Sequence, residues 1–91
     1  MSKKPSYFTA NINKLNALCE QRGYLIENIG DELQYRVYGA THVIDIWPSR
    51  MVYHRIKGEN ISANEPYYRG LDWEFNEKQV AHLLDTGEFV K

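Results

Sequence analysis

Apolar positions recur at two different periods along the chain, and the change of period marks off its parts. Between Ala10 and Arg22, Ile12, Leu15, Leu18 and Cys19 fall at helical spacing and make one apolar face. Thr9 stands where an N-cap can accept a bond from a free N–H of the first turn. Gly23 stands where a left-handed residue closes a helix. From Tyr24 to Ile56 the period drops to two. Tyr24–Ile29 is β-prone, and Gly30-Asp31 signals a turn. Leu33, Tyr35 and Val37 alternate with Gln34, Arg36 and Tyr38, and Gly39-Ala40 turns the chain again. The next run sets His42, Ile44 and Ile46 against Val43, Asp45 and Trp47, and Pro48-Ser49 ends it. In the fourth run Val52, His54 and Ile56 oppose Met51, Tyr53 and Arg55.

Beyond that run, residues 57–66 form a long polar loop. The aromatic stretch Tyr67 to Trp73 shows no clean period. A second helix fits Glu77 to Thr86, with Val80, Ala81, Leu83 and Leu84 as its buried face. Asn76 is its cap, Gln79 lies three residues on as in a capping box, and Phe75 and Val80 can form a hydrophobic staple. Short connections favour antiparallel hairpins. The pattern therefore predicts a single α+β domain over residues 1–91. It has two layers, helix–four-stranded antiparallel meander–helix, with both helices on one sheet face and a mobile arm over residues 1–8.

Composition sharpens this only in places. A chain of 91 residues builds a thin core, and its seven Tyr and two Trp supply large buried area for few torsions. The net charge of −1 gives neither the basic excess of a general nucleic-acid binder nor the acidic excess of a DNA mimic. Cys19 is the single cysteine, so no internal disulfide forms. No apolar h-region follows Met1, and no apolar run approaches the ~20 residues that span a bilayer. The expectation is a cytoplasmic protein without a membrane partner.

Catalytic and metal motifs are not visible in this sequence. His42 and Asp45 differ by three on a strand, so they point to opposite faces. His54 could approach His42 across a hairpin if the register allows. His82 and Asp85 are three apart on the second helix, as in a surface pair. No HExxH, CxxC, GxSxG or phosphate-cradling glycine loop appears. Cys19 lies on the apolar helix face, where a thiol is usually a small hydrophobe. A non-enzymatic protein without metal or cofactor is the expectation.

Binding is better represented. Arg50, Arg55 and Lys57 occur without an intervening acid, and Tyr53 and His54 are interleaved. Such a strand can stack bases and neutralise phosphates; its ordinary meaning is a solvated strand face. The helix–sheet–helix order resembles the double-stranded-RNA-binding domain, which sets lysines at the start of its last helix. Here that stretch carries Asp72, Glu74 and Glu77 with Lys78 as its lone cation, which departs from the pattern. A protein-binding surface is the stronger expectation, formed by Trp47, Arg50, Tyr53, Arg55, Tyr67, Tyr68 and Arg69. Trp47 either stands exposed at a strand end or packs under the long loop with Trp73. An exposed edge strand also allows a homodimer.

The segment Val43 to Ser49 ends a hydrophobic strand in Asp-x-Trp-Pro. It resembles small orphan accessory proteins of tailed bacteriophages, in which a helix and hairpin precede the Trp-Pro turn and a basic glycine stretch and Leu-rich helix follow. Tyr68-Arg69-Gly70 and Val80 to Leu84 match those later parts, whereas Ser49-Arg50-Met51 replaces the usual Thr-Gly-Lys. The resemblance implies a protein that binds a host protein, such as a defence component, in the host cytoplasm and modulates or inhibits it.

Overall fold

The computed structural model describes residues 6–30, 34–70 and 76–89, with side chains from residue 11 onward. The chain runs α1 (Ser6–Arg22), β1 (Leu25–Asn28), β2 (Tyr35–Tyr38), β3 (His42–Trp47), β4 (Val52–Gly58), β5 (Tyr68–Arg69) and α2 (Glu77–Thr86). All strands are antiparallel in one sheet of order β1-β2-β3-β4-β5. The α+β class and the four-strand meander expected from the alternation are present. Leu15, Leu18 and Cys19 of α1 and Val80, Ala81, Leu83 and Leu84 of α2 share one core with Val37, Ile44, Ile46 and Tyr53 of the sheet. Both helices therefore cover the same face.

Three features differ from the sequence reading, the first being that β4 runs to Gly58 and takes two residues of the expected 57–66 loop. Helix α1 begins at Ser6, so residues 6–8 are helical rather than part of an arm, and Thr9 lies inside the helix rather than at its cap. Residues 1–5 of that arm, the Asp31 turn position, Leu33, the Phe75 half of the staple and Trp73 lie outside the described residues. A fifth strand, β5, pairs Tyr68 with Tyr53 and Arg69 with Val52. Two residues are too few to display an alternation, which is why this strand left no period in the sequence.

Helix ends and turns follow local chemistry. Gly23, at φ 73°, closes α1 with the two bonds of a Schellman motif, its own N–H to Glu20 O (3.3 Å) and Tyr24 N–H to Cys19 O (2.8 Å). Asn76 caps α2 by accepting from the Gln79 N–H at 3.2 Å. Gly87 ends α2 at φ 77° and donates to Leu83 O at 2.7 Å. The β3–β4 turn bends through Pro48 to Met51, with Met51 at φ 51° and the N–H groups of Arg50 and Met51 both donating to Trp47 O. Buried Asn11 of α1 donates to Pro48 O (3.2 Å) and to the Met51 sulfur (3.3 Å), which ties this turn to the helix layer.

Candidate functional site

Cross-strand register decides which side chains share the face opposite the helices. One row runs Glu27, Arg36, Asp45, His54; a second runs Leu25, Tyr38, Val43, Lys57; a third runs Trp47, Val52, Arg69. The first row neutralises itself. Asp45 is 1% exposed and receives Arg36 through two bonds, Nε at 2.8 Å and Nη2 at 3.1 Å, and Gln34 Nε2 at 2.7 Å. Its negative charge is thus enclosed by donors, and those bonds raise the pKa of Arg36. The Glu27 carboxylate beside the Tyr38 hydroxyl pushes that phenol upward too.

The third row carries an aromatic ledge. Tyr67, 59% exposed, lies flat on His54 with centroids 4.2 Å apart and planes 13° apart. It also tilts against Trp47 at 5.4 Å and 53°. Trp47 is therefore half-buried with Tyr67 as its cover and is not fully exposed at the strand end; Trp73, its expected partner in the other placement, lies outside the described residues. His54 Nε2–H donates to Glu65 O at 2.8 Å, and the Glu65 side chain pairs with Arg55. The loop is thus fastened to β4 from both sides. Beside the ledge, His54, Ile56, Ile61, Ser62, Asn64 and Tyr67 line a depression of about 340 Å3.

The seven expected contact residues divide between the two faces. Trp47, Tyr67 and Arg69 belong to the outer side, and Arg50 is exposed in the adjoining turn. Tyr53, Arg55 and Tyr68 belong to the helix side, and this corrects the expectation that they form one surface with the others. Opposite Ile46, Tyr53 is 3% exposed and stacks on Tyr68 at 5.0 Å and 16°. Burial, followed by the neighbouring Tyr68, pushes its phenol up to about 12. Arg55 faces Ile44; it pairs with Glu65, donates to Gly87 O at 3.2 Å and sits 5.6 Å over the Tyr68 ring. The bond from Arg55 holds Glu65 below the usual carboxylate range. Arg55 follows Tyr53 inward by alternation, and a register shift between Val43 and Ile44 leaves Ile56 as an extra residue, so Lys57 turns outward. Such a bulge has no sequence mark here. His54 and Glu65 were missed as organisers of the ledge. The lone acid between Asn64 and Pro66, across from the basic strand, was their sole trace.

The other histidines stand apart. His42 is 6% exposed on the helix side, opposite Gly58, so it does not meet His54. Its Nε2–H donates to Glu59 O at 2.8 Å, and the Thr41 hydroxyl bonds Nδ1 at 2.7 Å. Asp85 accepts from Arg22 Nε (2.9 Å) and the Tyr24 hydroxyl (2.7 Å), and His82, its expected surface neighbour, adds a favourable charge interaction. Partial burial raises its pKa, but those two bonds together with the charges of Arg22 and His82 lower it overall. Burial pushes the Cys19 thiol up to about 11. Among the described residues no group of three His, Cys, Asp or Glu side chains is placed to hold a metal, and no helix is long and apolar enough to cross a membrane.

No family model, curated protein or solved structure matches this chain. The reading of the site therefore rests on its geometry. That geometry offers an aromatic platform with an open ring face, three exposed cations on or beside it (Arg50, Lys57 and Arg69) and a depression large enough for a side chain.

Proposed function

We propose that this chain is a non-enzymatic binding protein that docks a protein partner on the outer sheet face, centred on Tyr67 and Trp47. The observation that carries this reading is the exposed Tyr67 ring, held in place by His54 and Trp47 beneath it. A large ring already fixed in position loses little conformational entropy on binding, which is what makes a hot spot. Arg50 and Arg69 flank it, and the neighbouring depression can take an anchoring side chain of the partner. The Asp-x-Trp-Pro strand end adds the context of a bacteriophage-type accessory protein in the host cytoplasm, acting stoichiometrically on a host protein such as a defence component. Tyr67→Ala, or charge reversal at Arg50 and Arg69 together, should abolish capture of a nuclease-resistant protein from bacterial lysate while leaving the thermal melt near that of the parent. Undiminished capture by both variants refutes the reading.

A second reading has its own support. The upper face of Tyr67 is free to continue the His54–Tyr67 stack with a base, and Lys57, Arg50 and Arg69 can meet phosphates. Base stacking contributes about 1–3 kcal/mol per base, and phosphate contacts impose a steep salt dependence. Binding of a single-stranded oligonucleotide that collapses between low and moderate salt would favour it over a protein interface.

A further inference from the structure

The ledge carries its charge and its apolar surface at opposite ends. Arg69 stands opposite Val52, beside the turn that holds Arg50. Tyr67 lies over His54, two positions further along β4. The depression opens at Ile56, two positions beyond that. Arg50 and Arg69 are both exposed, and among the described residues neither guanidinium enters an ion pair or a side-chain hydrogen bond. The carboxylates described on and around this face are already engaged. Asp45 is enclosed by Arg36 and Gln34, Glu27 stands beside the Tyr38 hydroxyl, and Glu65 is turned to Arg55. Glu59 follows β4 at its far end, two residues after Lys57, so the uncompensated charge of the ledge is that of the two arginines. At the other end Ile56 (39% exposed), Ile61, Ala63 and the Tyr67 ring give the depression apolar walls, and its Ser62 hydroxyl donates to Glu65 at 3.5 Å.

We propose that the ledge takes an extended acidic segment of a partner protein, with a carboxylate side chain on Arg50 and Arg69 and an aliphatic or phenyl side chain in the depression. The proposal rests on the function proposed above and names the chemistry of its partner. The spacing follows from β4. Val52 and Ile56 are four residues apart, about 13 Å along a strand. An extended segment lying along β4 covers that length in four residues of its own, and its residues four apart project to the same side. The acid and the apolar anchor are therefore four positions apart, and the residue midway between them lies on the exposed face of Tyr67. Guanidinium groups suit a carboxylate, which accepts two parallel N–H bonds from each fork. A nucleic-acid strand fits this layout less well. It carries a charge at every residue, and a path leading from two arginines into an apolar depression leaves its later phosphates unmet.

Selection from a displayed library of random peptides on the purified chain tests this. Enriched peptides should carry Asp or Glu four residues from Leu, Ile, Met or Phe, in either chain direction. Arg50→Glu together with Arg69→Glu should exchange that acid for Lys or Arg and leave the apolar preference in place. A labelled peptide chosen by the parent, followed by fluorescence polarisation, should bind at least about tenfold more weakly to this double variant and to Ile61→Asp. None of the three residues is buried, so both variants should keep the parental far-ultraviolet circular dichroism and be comparable as folded proteins. No enrichment, enrichment without an acid, or an unchanged selection by the reversed variant overturns the proposal. So does tighter binding of a single-stranded oligothymidylate than of the selected peptide. Capture from lysate separates this proposal from the reading beneath it. Sensitivity to Tyr67→Ala without acidic selection overturns the partner chemistry alone; undiminished capture by the variants named above overturns the ledge and this proposal together.

Discussion

Replacing Gly87 by alanine tests the packing around His42. The His42 ring lies between Gly58 and Gly87, and a Cβ built on either glycine would overlap ring atoms of His42. Gly87 also holds φ 77°, which for an L-residue costs about 1–2 kcal/mol. Relief of the overlap requires the ring to move, and movement breaks its bonds to Glu59 O and the Thr41 hydroxyl. A buried hydrogen bond lost in this way costs about 1 kcal/mol or more. The expected total for Gly87→Ala is about 3–4 kcal/mol. Gly23→Ala is the control: Gly23 has nearly the same φ, 73°, but no atom within 4 Å of the added carbon. It should cost only the left-handed penalty of about 1–2 kcal/mol. Urea unfolding of both variants gives the difference directly. Thermal midpoints should fall by about 4–8 °C per kcal/mol for a domain of this size. In the background of His42→Ala, Gly87→Ala should cost much less, a coupling of at least about 1 kcal/mol. Equal losses in the Gly23 and Gly87 variants, or strict additivity with His42→Ala, would refute this account of the packing.

Other perturbations give equally definite expectations. Glu65→Gln should remove a pH-dependent part of stability. The carboxylate titrates lower in the folded chain than in the unfolded one, so its contribution is complete above the unfolded value of about 4.3 and is lost as pH falls through the folded value. The stability difference between parent and variant, followed by urea unfolding from about pH 6 to about pH 3, should therefore shrink with acid. Asn76→Ala should destabilise by about 1 kcal/mol through loss of the bond to the Gln79 N–H, read as a thermal shift. Cys19 should resist alkylation in the native protein near neutral pH and react at once in denaturant, since burial both covers the thiol and raises its pKa.

Much of the layer arrangement was legible because burial imposes a period. Ile44 and Ile46 reach the core while Trp47 stands on the other side, as their alternation predicted, and Leu83 and Leu84 do so from the helix they were assigned to. The candidate surface was less legible, for a specific reason. Register across the β3–β4 pair sets Tyr53 opposite Ile46 and Arg55 opposite Ile44, so Tyr53 becomes core and Arg55 becomes the partner of a loop carboxylate, and no local pattern in β4 reports which of its two faces meets the helices. The extra residue at Ile56 then breaks the period and sends Lys57 to the outer face. The pairing of β5 depends on contacts with Val52 and Tyr53, fifteen or more residues earlier in the chain, and no local pattern reports them.

The Arg36–Asp45 pair has a consequence for how the meander finds its alignment. Arg36 lies directly opposite Asp45, whose carboxylate is enclosed. If β2 slid by one residue against β3, the alternation of the two strands would fall out of step and one apolar set would turn to water. A slide of two residues preserves the faces, so hydrophobic burial alone does not forbid it. It would bring Asp45 opposite Gln34 or Tyr38 and carry the guanidinium a full pleat away. An enclosed carboxylate stripped of its cation costs about 3–5 kcal/mol, a large share of what holds so small a domain together. The pair thus works as an alignment key: apolar residues choose the face, and one charge contact chooses among the alignments that keep it.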